Sequence, residues 1–97
     1  MKVMAITHRQ PGATSERIQA LQAREVAEVW RLIGDGTIRE IYFDRARPCV
    51  VVILEAESID AARAHLATLP MVVERQIDFE LYGLGPYTQL ATLFAAP

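Results

Sequence analysis

The clearest pattern lies between Gly36 and Glu57, where two apolar stretches flank the polar turn Arg45-Ala46-Arg47-Pro48. The second stretch, Cys49 to Leu54, is apolar at every position, so as a β-strand it is apolar on both faces and must be covered from both sides. In a chain of 97 residues, two helices can cover only one face of a small sheet. The other face calls for a second copy of the chain. The stretch before the turn alternates imperfectly. Thr37, Arg39, Ile41 and Phe43 fall on one side, and Ile38, Glu40, Tyr42 and Asp44 on the other.

The remaining elements fall on either side of this pair. Lys2 to His8 predicts a first strand, with Val3, Ala5 and Thr7 facing one way and Lys2, Met4, Ile6 and His8 the other. After the Pro11-Gly12 turn, Thr14 or Ser15 caps a helix to about Ile33. Its predicted apolar stripe is Ile18, Leu21, Val26, Val29, Trp30 and Ile33, with Trp30 in the core. Arg17, Arg24, Glu25, Glu28 and Arg31 occupy the polar side, where Arg24 and Glu28 stand four apart and in range to pair. Gly34 is the expected C-terminal cap. Ser58 caps a second helix from Ile59 to about Leu69, which Pro70 stops. A last strand near Gln76 to Tyr82 points Ile77, Phe79 and Leu81 inward and Gln76, Asp78, Glu80 and Tyr82 outward, and Gly83, Gly85 and Pro86 break it.

The order β-α-β-β-α-β predicts an α+β, ferredoxin-like domain over residues 1–97, an antiparallel sheet with both helices on one face. Its usual strand order makes the first and third strands central, as the apolar third strand demands. Residues 84–97 still carry Leu90, Leu93 and Phe94, too apolar to hang free in water, so this tail is expected to pack on a partner subunit.

Composition narrows the function classes. A hydrophobic fraction of 52% is high for so short a chain and fits a buried surface between copies. A net charge of -2 with no clustered basic face argues against nucleic acid, and no apolar run is long enough for a membrane span. A single cysteine, Cys49, and the lack of a signal-peptide pattern point to the cytoplasm; Cys49 itself is expected to be a small buried hydrophobe.

Metal-ligand spacing, a phosphate-binding glycine loop and a nucleophile elbow are all missing from the sequence. What remains is a set of polar side chains on strands. His8 is a candidate acid/base, set against a merely structural strand-end histidine. Arg39 is a candidate carboxylate anchor, set against an ion pair with Glu40, Asp78 or Glu80. Tyr42, Asp78, Glu80 and Tyr82 are candidates for the lining of a pocket on the face away from the helices. The competing account of Asp78 and Glu80 is a solvated edge strand. His65 is expected to be packed rather than catalytic.

Four stretches carry a family resemblance: Ala23-Arg24-Glu25-Val26-Ala27, Gly36-x-x-Arg39, Leu66-Ala67-Thr68-Leu69-Pro70-Met71 and the later Ile77-Asp78-Phe79-Glu80. Together they resemble muconolactone isomerase. The resemblance implies a dimeric α+β barrel, a homodimer or a larger ring of dimers. It also implies a cofactor-independent isomerase that moves a proton next to a carbonyl in a small organic acid or lactone. Arg39 then holds the anion, with Asp78 and Glu80 nearby, and His8 and Tyr42 supply acid/base chemistry. The family's strand-one histidine falls near Met4 here, with His8 further along, which keeps two alternatives open. One is a non-catalytic oligomeric ligand-binding protein. The other is a relative of the monooxygenases that act on aromatic or quinol compounds.

Overall fold

The computed structural model describes residues 1–96. Its elements are β1 (Lys2–Arg9), α1 (Ser15–Gly34), β2 (Ile38–Phe43), β3 (Val50–Glu55), α2 (Ile59–Leu66), the one-turn α3 (Pro70–Val73) and β4 (Ile77–Leu84), followed by a 3-10 segment over Thr88–Phe94. The strands form one sheet in the order β2-β3-β1-β4, with every neighbouring pair antiparallel. This is the ferredoxin-like arrangement, with β1 and β3 in the centre.

One core explains why both helices lie on the same face. Val3 and Ala5 of β1, Val52 and Leu54 of β3, Ile38 of β2 and Phe79 of β4 meet Leu32 of α1 and Ala62 and Leu66 of α2. Burying one large aliphatic of this kind contributes about 1.5–3 kcal/mol. The helix starts are capped as their sequences require. Thr14 Oγ1 accepts the Arg17 N–H at 3.1 Å, and Ser58 Oγ accepts that of Ala61 at 3.0 Å.

Several expectations are corrected. The left-handed residue after α1 is Gly36, at φ 84°, rather than Gly34, which stays helical while Asp35 caps. α2 ends at Leu66, and Pro70 opens α3 instead of stopping α2, because proline lacks only a donor that the first helical turn does not use. β4 runs through Gly83 to Leu84, held by pairing with Val3 and Lys2. Gln76 is not an outward strand residue. It is buried, and its side-chain oxygen accepts the Thr14 N–H at 3.1 Å.

The α1 stripe is also rotated from the expected one. Its fully buried residues are Leu21 and Leu32, with Glu25 buried between them. Glu25 Oε1 accepts the Met71 N–H at 2.9 Å, satisfying a donor at the start of α3. Trp30 is 71% exposed and lies with Val26 beyond the buried line, not in the core. Glu28 pairs with Arg31, at 2.5 Å, rather than with Arg24.

The largest departure concerns β2. Its register with β3 shifts between Ile38 and Glu40, so that Ile38 opposes Leu54, Glu40 opposes Ile53, Ile41 opposes Val52 and Phe43 opposes Val50. Paired residues share a face. Arg39 is therefore the extra residue of a β-bulge, and Ile38, Ile41 and Phe43 all join the helix-covered side.

Candidate functional site

The strand registers define the face that the helices leave open. Val51 opposes both Tyr42 and Ile6, and Ile6 opposes Glu80, giving one row across the sheet. Ile53 opposes Glu40 and Met4, and Met4 opposes Tyr82, giving the next. Met4, Ile6, Val51 and Ile53 thus form a half-buried apolar floor about 14 Å from edge strand to edge strand. Each row has a tyrosine at one end and a glutamate at the other, in opposite order.

The crossed arrangement has a simple origin. β2 contains Glu40-Ile41-Tyr42 and β4 contains Glu80-Leu81-Tyr82, the same Glu-x-Tyr spacing. Positions two apart in a strand share a face, and β2 and β4 run in opposite directions. On β2 the Tyr42 hydroxyl donates to Glu40 Oε1 at 2.7 Å, which raises the tyrosine pKa because loss of the proton would break the bond and set two anions side by side. A hydrogen bond to Glu80 raises the pKa of Tyr82 in the same way. Both phenols are therefore held as hydrogen-bond donors at neutral pH.

His8 lies at one end of the face, opposite Asp78 of β4. Side chains at directly opposed positions have Cβ atoms about 4.5–5.5 Å apart. One Asp78 oxygen accepts the Phe79 N–H at 2.8 Å, which turns the carboxylate along its own strand. His8, Tyr42, Asp78 and Glu80 are thus brought onto one face, together with Tyr82.

Arg39 is not among them. Its place in the bulge turns it toward the start of β2, where its Nε donates to the Gly36 carbonyl at 2.5 Å. There it lines a separate polar groove of about 520 Å³ with Met1, Asp35, Glu55, Glu57 and His65. The N-terminal ammonium lies 2.8 Å from Glu55 in this groove and holds that carboxyl below its usual range. His65 is an exposed wall of the groove rather than packed, and Cys49 is only partly buried. Glu40 is the site residue that pattern reading missed, although the repeated Glu-x-Tyr spacing was a usable signal. Among the described residues no three His, Cys, Asp or Glu side chains group as metal ligands, and no helix is long and apolar enough to cross a membrane.

No protein-family model and no curated protein sequence matches the chain. Solved structures do. A crystal structure of muconolactone isomerase superposes over 90% of this chain and 91% of its own, with a TM-score of 0.72 and 21% identity. The chain shares the fold of muconolactone isomerase. It is similar too to 5-chloro-2-hydroxyhydroquinone dehydrochlorinase from Burkholderia phenoliruptrix, solved in complex with 2,5-dihydroxybenzoquinone, with a TM-score of 0.67 and 12% identity over 90% and 97% of the two chains. A candidate antibiotic biosynthesis monooxygenase from Deinococcus radiodurans aligns at TM-score 0.51 and 15% identity over 89% and 94%. At these identities muconolactone isomerase and the other two define the fold alone.

Proposed function

We propose that this protein is a cytoplasmic homo-oligomer that binds a small ring compound between the open faces of two copies. It carries out a cofactor-independent proton transfer of the isomerase type on that compound. The observation that carries this is the gathering of His8, Asp78, Tyr82 and the Glu40-bonded Tyr42 around a shared apolar floor. Covering that floor with a second copy makes it a closed, largely apolar chamber with few polar groups, the usual composition of a small-molecule site. Similarity to an isomerase and a dehydrochlorinase, both named for ring compounds, supports the same class.

Proton transfer next to a carbonyl needs a base for the carbon-bound proton and a donor for the oxygen that gains charge. His8 fills the first role, with Asp78 opposite to stabilise the imidazolium that forms. Tyr42 or Tyr82 fills the second by turning its single O–H from the neighbouring glutamate to the ligand oxygen; with its pKa raised it acts as donor rather than base. Arg39 lies off the face, and the acidic groups Glu40, Asp78 and Glu80 surround the floor, with His8 opposite Asp78 and Lys2 opposite a further carboxylate, Glu55. A neutral lactone or hydroxylated ring therefore suits the site better than a free carboxylate.

The test is methyl NMR of Met4, Ile6, Val51 and Ile53 during titration with a simple lactone, a hydroxyquinol and a small dicarboxylate. Shifts with the first or second, and none with the dicarboxylate, are expected. Deuterium exchange at the ligand's carbon next to the carbonyl should fall by about 10²-fold or more in His8→Gln. Binding without any exchange would make the protein a non-catalytic binder, and unmoved methyls with every ligand would remove the site altogether.

A further inference from the structure

The chain leaves α1 and α3 by the same kind of turn, with one difference in the residue used. After α1, Gly36 donates its N–H to the Ile33 carbonyl at 3.1 Å, and after α3, Arg75 donates its N–H to the Val72 carbonyl at 3.0 Å. The Gln76 N–H reaches back to the Met71 carbonyl at 2.9 Å and completes the α3 exit. Both turns need a left-handed residue, Gly36 at φ 84° and Arg75 at φ 57°. Glycine takes up that conformation without a steric cost, and Arg75 is the only other residue with positive φ among those described. Backbone kept in a disfavoured conformation points to a use for the side chain it carries.

Arg75 borders a recess of about 320 Å³ that Gln10, Val72, Ile77 and Asp78 complete. Val72 and Ile77 are half-buried against the core and give the recess an apolar wall. The ion pairs among the described residues engage Arg17, Arg31 and Arg47, and none of them engages Arg75 or Asp78. One Asp78 oxygen accepts the Phe79 N–H at 2.8 Å. The recess therefore holds one cation and one carboxylate, neither neutralised within the chain, beside two aliphatic side chains.

We infer that this recess binds a short aliphatic α-amino acid as its zwitterion. The Arg75 guanidinium takes the carboxylate through two parallel N–H donors, Asp78 accepts from the ammonium, and the aliphatic side chain lies on Val72 and Ile77. Arg75 and Asp78 are three residues apart, at most about 11 Å between Cα atoms, a gap that a long arginine side chain and a small ligand close. The charges select the class. A plain anion on Arg75 would meet the Asp78 carboxylate, and a plain amine on Asp78 would meet the guanidinium, whereas a zwitterion satisfies both. The recess shares Asp78 alone with the proposed ring site, so the two can fail separately.

The test is methyl NMR of the full-length protein, with Val72 and Ile77 reporting on the recess. L-valine is expected to move both saturably while Met4, Ile6, Val51 and Ile53 stay in place. Isobutyrate lacks the ammonium and isobutylamine the carboxylate, and each should bind at least tenfold more weakly. Arg75→Gly keeps the left-handed turn and removes the guanidinium. Its affinity for valine should fall at least tenfold while its thermal midpoint holds or rises, because glycine relieves the backbone. Isobutyrate binding as tightly as valine makes the recess a plain anion site and overturns the zwitterion. Arg75→Gly binding valine like the wild type overturns it too, and so does a lowered midpoint, which would make the Arg75 side chain part of the fold. Valine shifts confined to the open-face methyls, or no shift at all, also overturn the recess and leave the ring site to its own titration.

Discussion

The two faces of the sheet are built from the same strands and nearly the same residue types, yet they differ in what the chain does with them. On β3, Val52 and Leu54 are 2% and 0% exposed beneath the helices, whereas Val51 and Ile53 between them are only half-buried. The covered face is apolar except toward one end, where Thr7 Oγ1 accepts the Val50 N–H. The open face has an apolar floor but glutamates and tyrosines at its rim and His8 with Asp78 at one end. Covering by helices thus produces a core, and leaving the same kind of surface uncovered with a polar rim produces the open face on which the proposed site rests.

Neighbouring residues on β3 give the sharpest contrast. Leu54→Ala should cost about 2–5 kcal/mol in urea denaturation, because it removes methyls from the packed core and leaves a cavity. Ile53→Ala, one residue away, should cost well under half of that in dilute protein and should instead raise the concentration at which copies associate. Equal losses at the two positions, independent of protein concentration, would erase the distinction between the faces.

A smaller effect is expected at Glu25, the one buried carboxylate among the described residues. Glu25→Ala leaves the Met71 N–H without its acceptor and should cost about 1–3 kcal/mol. Burial raises the Glu25 pKa, partly offset by the Met71 N–H, with Glu28 nearby adding to the rise. Stability from a carboxyl whose folded pKa is raised is fully present below its unfolded value, about 4.3, and is lost as pH rises through the folded value. Glu25→Gln keeps an acceptor but no titration. The stability of the wild type relative to Glu25→Gln should therefore fall with rising pH over that window, and a constant difference would show that the carboxyl is not held in a desolvated site.

Thr14→Ala and Ser58→Ala should each cost about 1 kcal/mol by removing a helix cap on the covered side. Tyr42→Phe is expected to leave the thermal midpoint where it is while weakening any hydroxylated ligand, since its hydroxyl bonds Glu40 on the same open face. A drop in midpoint would make Tyr42 structural.

Much of the fold was legible in the chain because the signals were local or compositional. The apolar run at β3 demanded a central place, and Thr14 and Ser58 marked the helix starts. The site was legible in part. His8, Tyr42, Asp78 and Glu80 do share a face, because strand alternation alone carries them there. Ile38 was put on the face of Glu40 and Tyr42 because alternation assumes an unbroken register, and the bulge at Arg39 reverses the face of the residues on one side of it. Trp30 and Glu25 were misplaced because helical periodicity marks a wide stripe without saying which edge of it meets the sheet.

In the strand pair from Gly36 to Glu57, the pattern of apolar residues alone places β3 inside a sheet and leaves one side of that sheet without a cover within the chain. Those conclusions rest on apolar area that water excludes wherever it occurs. Only the tertiary structure decided which residues share each face and where Arg39 and Trp30 point. Register, bulges and helix rotation are set by contacts between segments distant in the chain, and no residue carries that information alone.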